Sequence, residues 1–132
     1  MSDTKCARML LEAARRDIEA LRVMRHSDGL PEEVYGFHVQ QASEKLLKAW
    51  IALLGASYPL THSIETLLKL LAERGIDTEP FVDLSAYTPY AVEFRYAGVG
   101  PDAKPINRVG ALEGVEALLE QVEGHLPDDD EP

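Results

Sequence analysis

Apolar residues recur at intervals of three and four along this chain, and no segment alternates with a period of two. Near the N-terminus the repeat consists of Ala7, Leu10, Leu11, Ala14, Ile18 and Leu21. An α-helix turns once every 3.6 residues, so this spacing gathers the apolar side chains on one helical face. Because the period of a half-buried strand is missing, the sequence predicts an all-α protein.

Glycines and prolines divide the chain into predicted helices. The first helix covers residues 3–25 and ends before Asp28-Gly29, and Pro31 begins a second helix that ends at Gly55. Proline loses no hydrogen bond at the first helical position, and glycine readily adopts the left-handed conformation that ends many helices.

The next predicted helix is short and ends at Gly75, with Thr61 or Ser63 as its N-cap. Either hydroxyl can accept a backbone N–H of the first turn. Within the second helix, Tyr35 and Trp50 fall on the apolar face, so we interpret both as packing residues.

The C-terminal half continues with a helical repeat over residues 81–96 that is interrupted by Pro89. Proline removes a helical hydrogen bond, so we predict two pieces with Thr88 capping the second. A loop at 97–107 leads into a last helix that starts at about Asn107. Amphipathic helices joined by short connections predict an antiparallel bundle of four or five helices.

Composition limits the classes of function. With 132 residues, 45% of them hydrophobic, the chain has material for one domain, predicted at 1–126, followed by an acidic disordered tail at 127–132. The formal net charge of −10 excludes a broad basic surface, so we expect no bulk DNA binding. No apolar run reaches the roughly 18 residues of a membrane span, and residues 1–8 lack the apolar core that a signal peptide needs. Cys6 is the single cysteine. These features predict a cytoplasmic protein without membrane contact.

The second helix carries a polar face opposite its apolar one. At about 100° per residue, an arc of roughly 160° contains His38, Gln40, Gln41, Glu44, Lys45 and Lys48. One interpretation is a solvated surface with ordinary pairs four residues apart, Gln41 with Lys45 and Glu44 with Lys48. The other is a binding site, and the residue spacing leaves both open.

Three sequence elements resemble one known family. Residues 37–49 read Phe-His-x-Gln-Gln-Ala-x-Glu-Lys-x-x-Lys-Ala, residues 59–64 read Pro-Leu-Thr-His-Ser-Ile, and residues 94–96 read Phe-Arg-Tyr. In this order they resemble the HEPN family, the higher-eukaryote and prokaryote nucleotide-binding helical bundles. The resemblance covers the chain from about residue 15 to residue 126 and implies the HEPN bundle fold.

The resemblance also implies functional residues. HEPN RNases carry an arginine followed four to six residues later by a histidine, and Arg95 has no histidine in that window. Metal-free RNA cleavage needs a group that moves protons near neutral pH, so we interpret the chain as a non-catalytic HEPN module. Arg95 can still bind a phosphate, or pair with Glu93 or another carboxylate. The predicted ligand- or partner-binding residues are His38, Gln41, Glu44, Lys45, Lys48, His62, Arg95 and Tyr96.

HEPN proteins of this type resemble one half of a toxin–antitoxin-like pair. The resemblance therefore implies a nucleotide as ligand and a minimal nucleotidyltransferase as partner. No cofactor or metal is expected, because His38 and His62 lack the spacing of metal ligands. A homodimer is also predicted, since some apolar residues fall outside the best core faces: Leu47, Leu54, Val92 and Val99. Two alternatives stay open, an HEPN-type RNase that uses an unrecognised residue set and a purely structural oligomer.

Overall fold

The computed structural model describes residues 3–98, 100 and 105–127, and the side chains in these ranges except those of Arg95 and Tyr96. Within these ranges the chain forms five α-helices, one 3₁₀ segment and no strand. In chain order they are α1 (Asp3–Met24), α2 (Glu32–Leu53), α3 (Ile64–Glu73), the 3₁₀ segment (Glu79–Ala91), α4 (Glu93–Ala97) and α5 (Arg108–Glu123). The prediction of an all-α helical bundle is confirmed.

Side-chain caps begin α3 and α5, and a glycine ends α2, all close to the predicted positions. The Ser63 hydroxyl accepts the Thr66 N–H at 3.1 Å and so caps α3. The Asn107 side chain accepts the Gly110 N–H at 3.0 Å and caps α5. After α2, Gly55 has a φ of +78°, a conformation that glycine adopts without a steric penalty.

The segment around Pro89 differs from its predicted form. The 3₁₀ segment continues through Pro89, and the break falls at Val92, where φ is −133°. Thr88 does not cap a second helical piece. Its hydroxyl instead accepts the Ile64 N–H at 3.1 Å and donates to Glu65 at 2.6 Å. Thr88 therefore binds the first turn of α3, because the 3₁₀ segment packs against that helix.

The second helix, α2, lies at the centre of the bundle and contacts α1, α3, the 3₁₀ segment, α4 and α5. Tyr35 and Trp50 are buried in the core, as predicted. Leu47 is also fully buried, so its assignment to the outside of the core is wrong. The helical repeat predicts only the direction in which each side chain of α2 points. Other elements pack around α2 on nearly every side, so side chains outside the main apolar face are buried as well. Of the other apolar residues expected outside, Leu54 is partly buried and Val92 is 52% exposed, while Val99 lies outside the described residues.

Arg108 fastens the start of α5 to the connection between α1 and α2. Its guanidinium donates to the carbonyl oxygens of Met24 at 3.2 Å and Ser27 at 2.7 Å, and to Glu32 at 3.1 Å. The ring of Tyr35 lies 5.3 Å from the guanidinium carbon, and its hydroxyl donates to the Arg108 carbonyl at 3.0 Å. These bonds hold α5 against the hairpin formed by α1 and α2.

Across the part of the chain that the structure describes, no helix combines the length and apolar character of a membrane span. Beyond Pro127, the predicted acidic tail lies outside the described residues. The Pro127 carbonyl accepts a hydrogen bond from Arg8 at 3.0 Å, which joins the end of the bundle to α1.

Candidate functional site

The polar face of α2 is covered by α1 and by the loop that precedes α3. Gln40 is fully buried, and Glu44 and Lys48 are each 8% exposed. The interpretation of this face as a solvated surface is therefore wrong for these three residues. Buried polar groups are costly unless they are hydrogen-bonded, so their partners decide what the face can do.

Asp17 of α1 binds two residues of α2. Its Oδ1 accepts a hydrogen bond from His38 Nδ1 at 2.9 Å, and its Oδ2 accepts one from Lys45 Nζ at 2.6 Å. Asp17 is 8% exposed. We call Asp17, His38 and Lys45 the Asp17 cluster; it joins α1 to α2 through one shared carboxylate.

Glu44 is the centre of a second group, which joins α2 to the loop before α3. Its Oε2 accepts a hydrogen bond from Lys48 Nζ at 2.8 Å. Its Oε1 accepts from His62 Nδ1 and from Gln40 Nε2, both at 2.9 Å. We call Glu44, Lys48, His62 and Gln40 the Glu44 cluster. The predicted pair of Glu44 with Lys48 is confirmed, but it is buried rather than solvated.

Gln41 contacts the Glu44 cluster through Gln40. Its Nε2 donates to Gln40 Oε1 at 2.7 Å, and Gln40 Nε2 also donates to the His62 carbonyl at 3.0 Å. The alternative pair of Gln41 with Lys45 does not form, because Lys45 reaches across to Asp17 instead. The Gln40 side chain thus ties the loop that carries His62 to α2.

Both buried carboxylates are held in their ionised form. Burial opposes ionisation of Asp17, but the hydrogen bonds from its imidazole and ammonium partners outweigh burial and lower the pKa below the ordinary value of 3.8. Burial also opposes ionisation of Glu44. The hydrogen bonds from its ammonium, amide and imidazole partners outweigh burial and lower the pKa of Glu44 below the ordinary value of 4.5. At neutral pH each lysine of the two clusters therefore faces a full negative charge.

The histidines present one ring nitrogen each to further partners. An ionised carboxylate only accepts hydrogen bonds, so Nδ1 carries the proton in both His38 and His62. Among the described residues, neither Nε2 atom has a hydrogen-bond partner. The side chains of His62, His38 and Lys45 are 60%, 29% and 26% exposed. The polar face of α2 thus presents the Nε2 edges of two imidazole rings whose orientation is fixed by carboxylates. The neighbouring lysine ammonium groups are already paired with the same two carboxylates.

The two other predicted binding residues, Arg95 and Tyr96, belong to α4, which contacts α2. The neighbouring Phe94 ring packs edge-on against Tyr90, with 4.9 Å between ring centroids. Tyr90 in turn lies against α2 at Gly36, so α4 sits near the N-terminal half of α2. The side chains of Arg95 and Tyr96 lie outside the description, and their role stays a prediction.

Asp17 is the residue that the sequence analysis missed. It stands beside Ile18 and three residues after Ala14, inside the apolar stripe of α1. Aspartate is almost never buried without a partner, so its place in that stripe was a usable signal for a cation on a neighbouring helix. Which cation binds it could not be read from spacing, because His38 and Lys45 belong to another helix.

Comparison with known proteins agrees with this architecture. The family model described as HEPN domain matches residues 7–125, a span that begins within α1 and ends just after α5. No curated protein and no solved structure matches the chain. Because the family model spans most of the sequence, the chain belongs to the HEPN domain family.

Proposed function

We propose that this protein is a non-catalytic HEPN module that binds a mononucleotide on the polar face of α2, as the partner subunit of a minimal nucleotidyltransferase. The observation that supports this function most is the pairing of each exposed-edge histidine with a buried carboxylate. Asp17 orients His38, and Glu44 orients His62, each through an Nδ1 bond of 2.9 Å. Groups that are already fixed bind a small ligand with a smaller loss of conformational entropy.

The charge of the face favours a small ligand over a long polyanion. Lys45 is paired with Asp17 and Lys48 with Glu44, so the four charges cancel. Binding of a long nucleic acid depends on clustered cations that release counterions from phosphates. A ligand recognised by directional hydrogen bonds, with one phosphate group near Arg95, suits a balanced face better.

The absence of the RNase motif supports a non-catalytic module. The residues after Arg95 are Tyr-Ala-Gly-Val-Gly-Pro-Asp, without the histidine that HEPN RNases carry four to six positions later. An arginine stabilises negative charge but does not deprotonate a ribose hydroxyl near neutral pH.

A second function has one specific observation in its favour. In the pairs of Asp17 with His38 and Glu44 with His62, a carboxylate holds Nδ1–H and leaves Nε2 to accept a proton. The same arrangement orients the general base in many hydrolases. An RNase that uses these residues would cleave single-stranded RNA without magnesium and would lose that activity in His38→Ala or His62→Ala. Absence of cleavage by the native protein supports the binding module instead.

Nucleotide binding is tested by calorimetry with ATP, GTP, CTP and UTP. We expect binding of at least one, and a loss of about tenfold or more in affinity in the triple variant Lys45→Gln, His62→Asn, Arg95→Gln. The matched control is Lys69→Gln, His26→Asn, Arg74→Gln, which removes the same side-chain types at exposed positions outside both clusters. Equal affinity of the native protein and the triple variant would refute the site.

The partner is tested with a nucleotidyltransferase encoded beside the gene of this chain. Co-expression should yield a complex that survives size-exclusion chromatography and weakens in the triple variant more than in the control. Separate elution of the two native proteins at micromolar concentration would contradict the partner proposal, while nucleotide binding would stand on its own test.

A further inference from the structure

The turn between α1 and α2 carries a reactive sequence that belongs to neither polar cluster. Asp28 and Gly29 form the only Asp-Gly pair of the chain, and the sequence contains no Asn-Gly pair. Both residues are exposed and lie in a turn between the end of α1 and the start of α2. Such a pair has a route of spontaneous covalent change, and the way the fold holds the pair decides whether that route is open.

The covalent change is a ring closure between an aspartate side chain and the next backbone nitrogen. When Gly29 N attacks Asp28 Cγ, the new N–C bond forms and the carboxyl hydroxyl leaves with the proton of the nitrogen as water. Water then adds to either carbonyl carbon of the five-membered succinimide and breaks the bond from that carbon to the nitrogen, which gives aspartate or isoaspartate. The ring closure is intramolecular and the sequence of steps needs no co-reactant besides water, so local geometry controls its rate.

The structure leaves both reacting groups accessible. Among the described residues, the Asp28 carboxylate and the Gly29 N–H have no hydrogen-bond or ion-pair partner. Gly29 has a φ of +77°, and a Cβ atom built on it would meet no atom within 4 Å. Glycine has no side chain to hinder its nitrogen, and no hydrogen bond has to break before the ring closes.

Other described aspartates lack this combination. Asp17 is 8% exposed and accepts hydrogen bonds through both carboxylate oxygens. Asp77 Oδ1 accepts the Glu79 N–H at 3.1 Å, and the residue after Asp77 is the β-branched Thr78. Asp83 lies inside the 3₁₀ segment, where the regular backbone fixes the nitrogen that follows it. These aspartates serve as internal comparisons for Asp28.

We propose that Asp28 isomerises spontaneously in the folded protein and that the isoaspartate form holds α5 less tightly. The guanidinium of Arg108 donates to the Ser27 carbonyl at 2.7 Å and to the Leu30 carbonyl at 3.4 Å, on either side of the pair. In isoaspartate the main chain passes through Cβ and Cγ, so it contains one extra carbon atom between these two carbonyls. The rigid guanidinium then no longer matches both acceptors. The proposal does not depend on nucleotide binding at the polar face of α2.

The first test follows isoaspartate in the native chain at mildly alkaline pH and physiological temperature, with circular dichroism to check that the protein stays folded. Electron-transfer dissociation of the digested protein distinguishes the two isomers at each aspartate. We expect isoaspartate at residue 28, formed less than about tenfold more slowly than in a synthetic peptide of residues 26–31. A native rate more than about tenfold below the peptide rate would overturn the proposal, because the fold would then protect the pair.

A pair of variants tests whether residue 28 is the site. Asp28→Glu keeps the charge, but its ring would have six atoms and close more slowly, and Asp77→Glu is the matched change at another exposed aspartate. A methyltransferase specific for isoaspartyl carboxylates measures the total isoaspartate after incubation. We expect a fall of at least about tenfold in Asp28→Glu and no change in Asp77→Glu. Equal isoaspartate in the native protein and Asp28→Glu would overturn the proposal.

Urea unfolding before and after incubation tests the consequence for α5. The incubated native protein should unfold at a lower urea concentration, whereas Asp28→Glu should unfold as it did before incubation. The Arg108→Lys variant should lose less stability on incubation than the native protein, because its guanidinium is already absent. Equal losses in these two proteins, or no loss in a native sample that contains isoaspartate, would overturn the link between Asp28 and the attachment of α5.

Discussion

The ring of Tyr90 lies directly against the backbone of α2 at Gly36. A Cβ atom built on Gly36 would stand 2.2 Å from Cδ1 and 2.3 Å from Cε1 of that ring. Tyr90 is 9% exposed, and its ring also packs against Tyr87 and Phe94, with 5.6 and 4.9 Å between centroids. The ring is held from several sides, so it has little room to yield to an added methyl group.

Gly36→Ala should therefore destabilise the protein by about 1–3 kcal/mol, the usual cost of overpacking a core. The direction is opposite to helix propensity, because alanine is normally about 1 kcal/mol better than glycine inside a helix. Urea unfolding near neutral pH measures the difference. Gly114→Ala in α5 is the control, since its Cβ would meet Leu84 at an ordinary 3.6 Å, and it should be neutral or stabilising. A Gly36→Ala protein as stable as the native one would contradict the contact.

Asp17→Asn should destabilise the protein at neutral pH and much less in acid. The pKa of Asp17 is lowered in the folded state, so its contribution is fully present above the unfolded value, near 3.8, and is lost as the pH falls through the lower folded value. We expect a loss of about 1–3 kcal/mol at neutral pH, since the amide removes the negative charge that faces Lys45 and leaves one acceptor oxygen where the carboxylate has two. Urea unfolding of both proteins, measured from neutral pH down through the pKa values of Asp17, tests this pH dependence.

The control for Asp17→Asn is Glu12→Gln on the same helix. Glu12 is 65% exposed in its pair with Arg15, so its removal should cost no more than a few tenths of a kcal/mol. If both variants lost the same stability, or if the Asp17→Asn deficit stayed constant in acid, the buried cluster would not have the strength that its geometry indicates.

Arg108→Lys should loosen the start of α5 although it preserves the charge. A lysine ammonium cannot reproduce the planar fork that reaches the Met24 and Ser27 carbonyls and Glu32 together. We expect a loss of about 1–3 kcal/mol in unfolding experiments. The comparison is Arg25→Lys, a partly exposed arginine that donates to the nearby Arg22 carbonyl at 3.1 Å, and this change should affect stability little. A similar loss of stability in the two variants would mean that the planar guanidinium of Arg108 adds nothing beyond its charge.

The protein should form a homodimer. Leu47 no longer supports this expectation because it is buried, but Leu60 is 99% exposed and Val92 is 52% exposed. Contiguous apolar surface marks interaction sites, and soluble oligomers are most often symmetric dimers of one chain. Light scattering at micromolar concentration should give about twice the chain mass of 14.6 kDa. A mass equal to one chain would refute self-association.

The amino-acid sequence determined the secondary structure to a large extent. The ends of α1 and α2, the Ser63 cap of α3 and the position of Asn107 before α5 all follow from signals within one or two helical turns. Helical periodicity and capping depend on neighbours in sequence, so spacing and residue type suffice to find them. The order of the three motifs, in α2, before α3 and in α4, likewise indicates the HEPN family from sequence alone.

The tertiary structure alone decided which polar residues of α2 are buried and which atoms they bind. Glu44 and Lys48 lie on the polar side of a helical projection, yet both are 8% exposed because α2 is surrounded by other elements. The partner of His38 is Asp17 on a different helix, and Thr88 binds α3 rather than its own segment. Burial and long-range hydrogen bonds depend on how distant segments meet, and a one-dimensional repeat contains no information about which segment covers a given face.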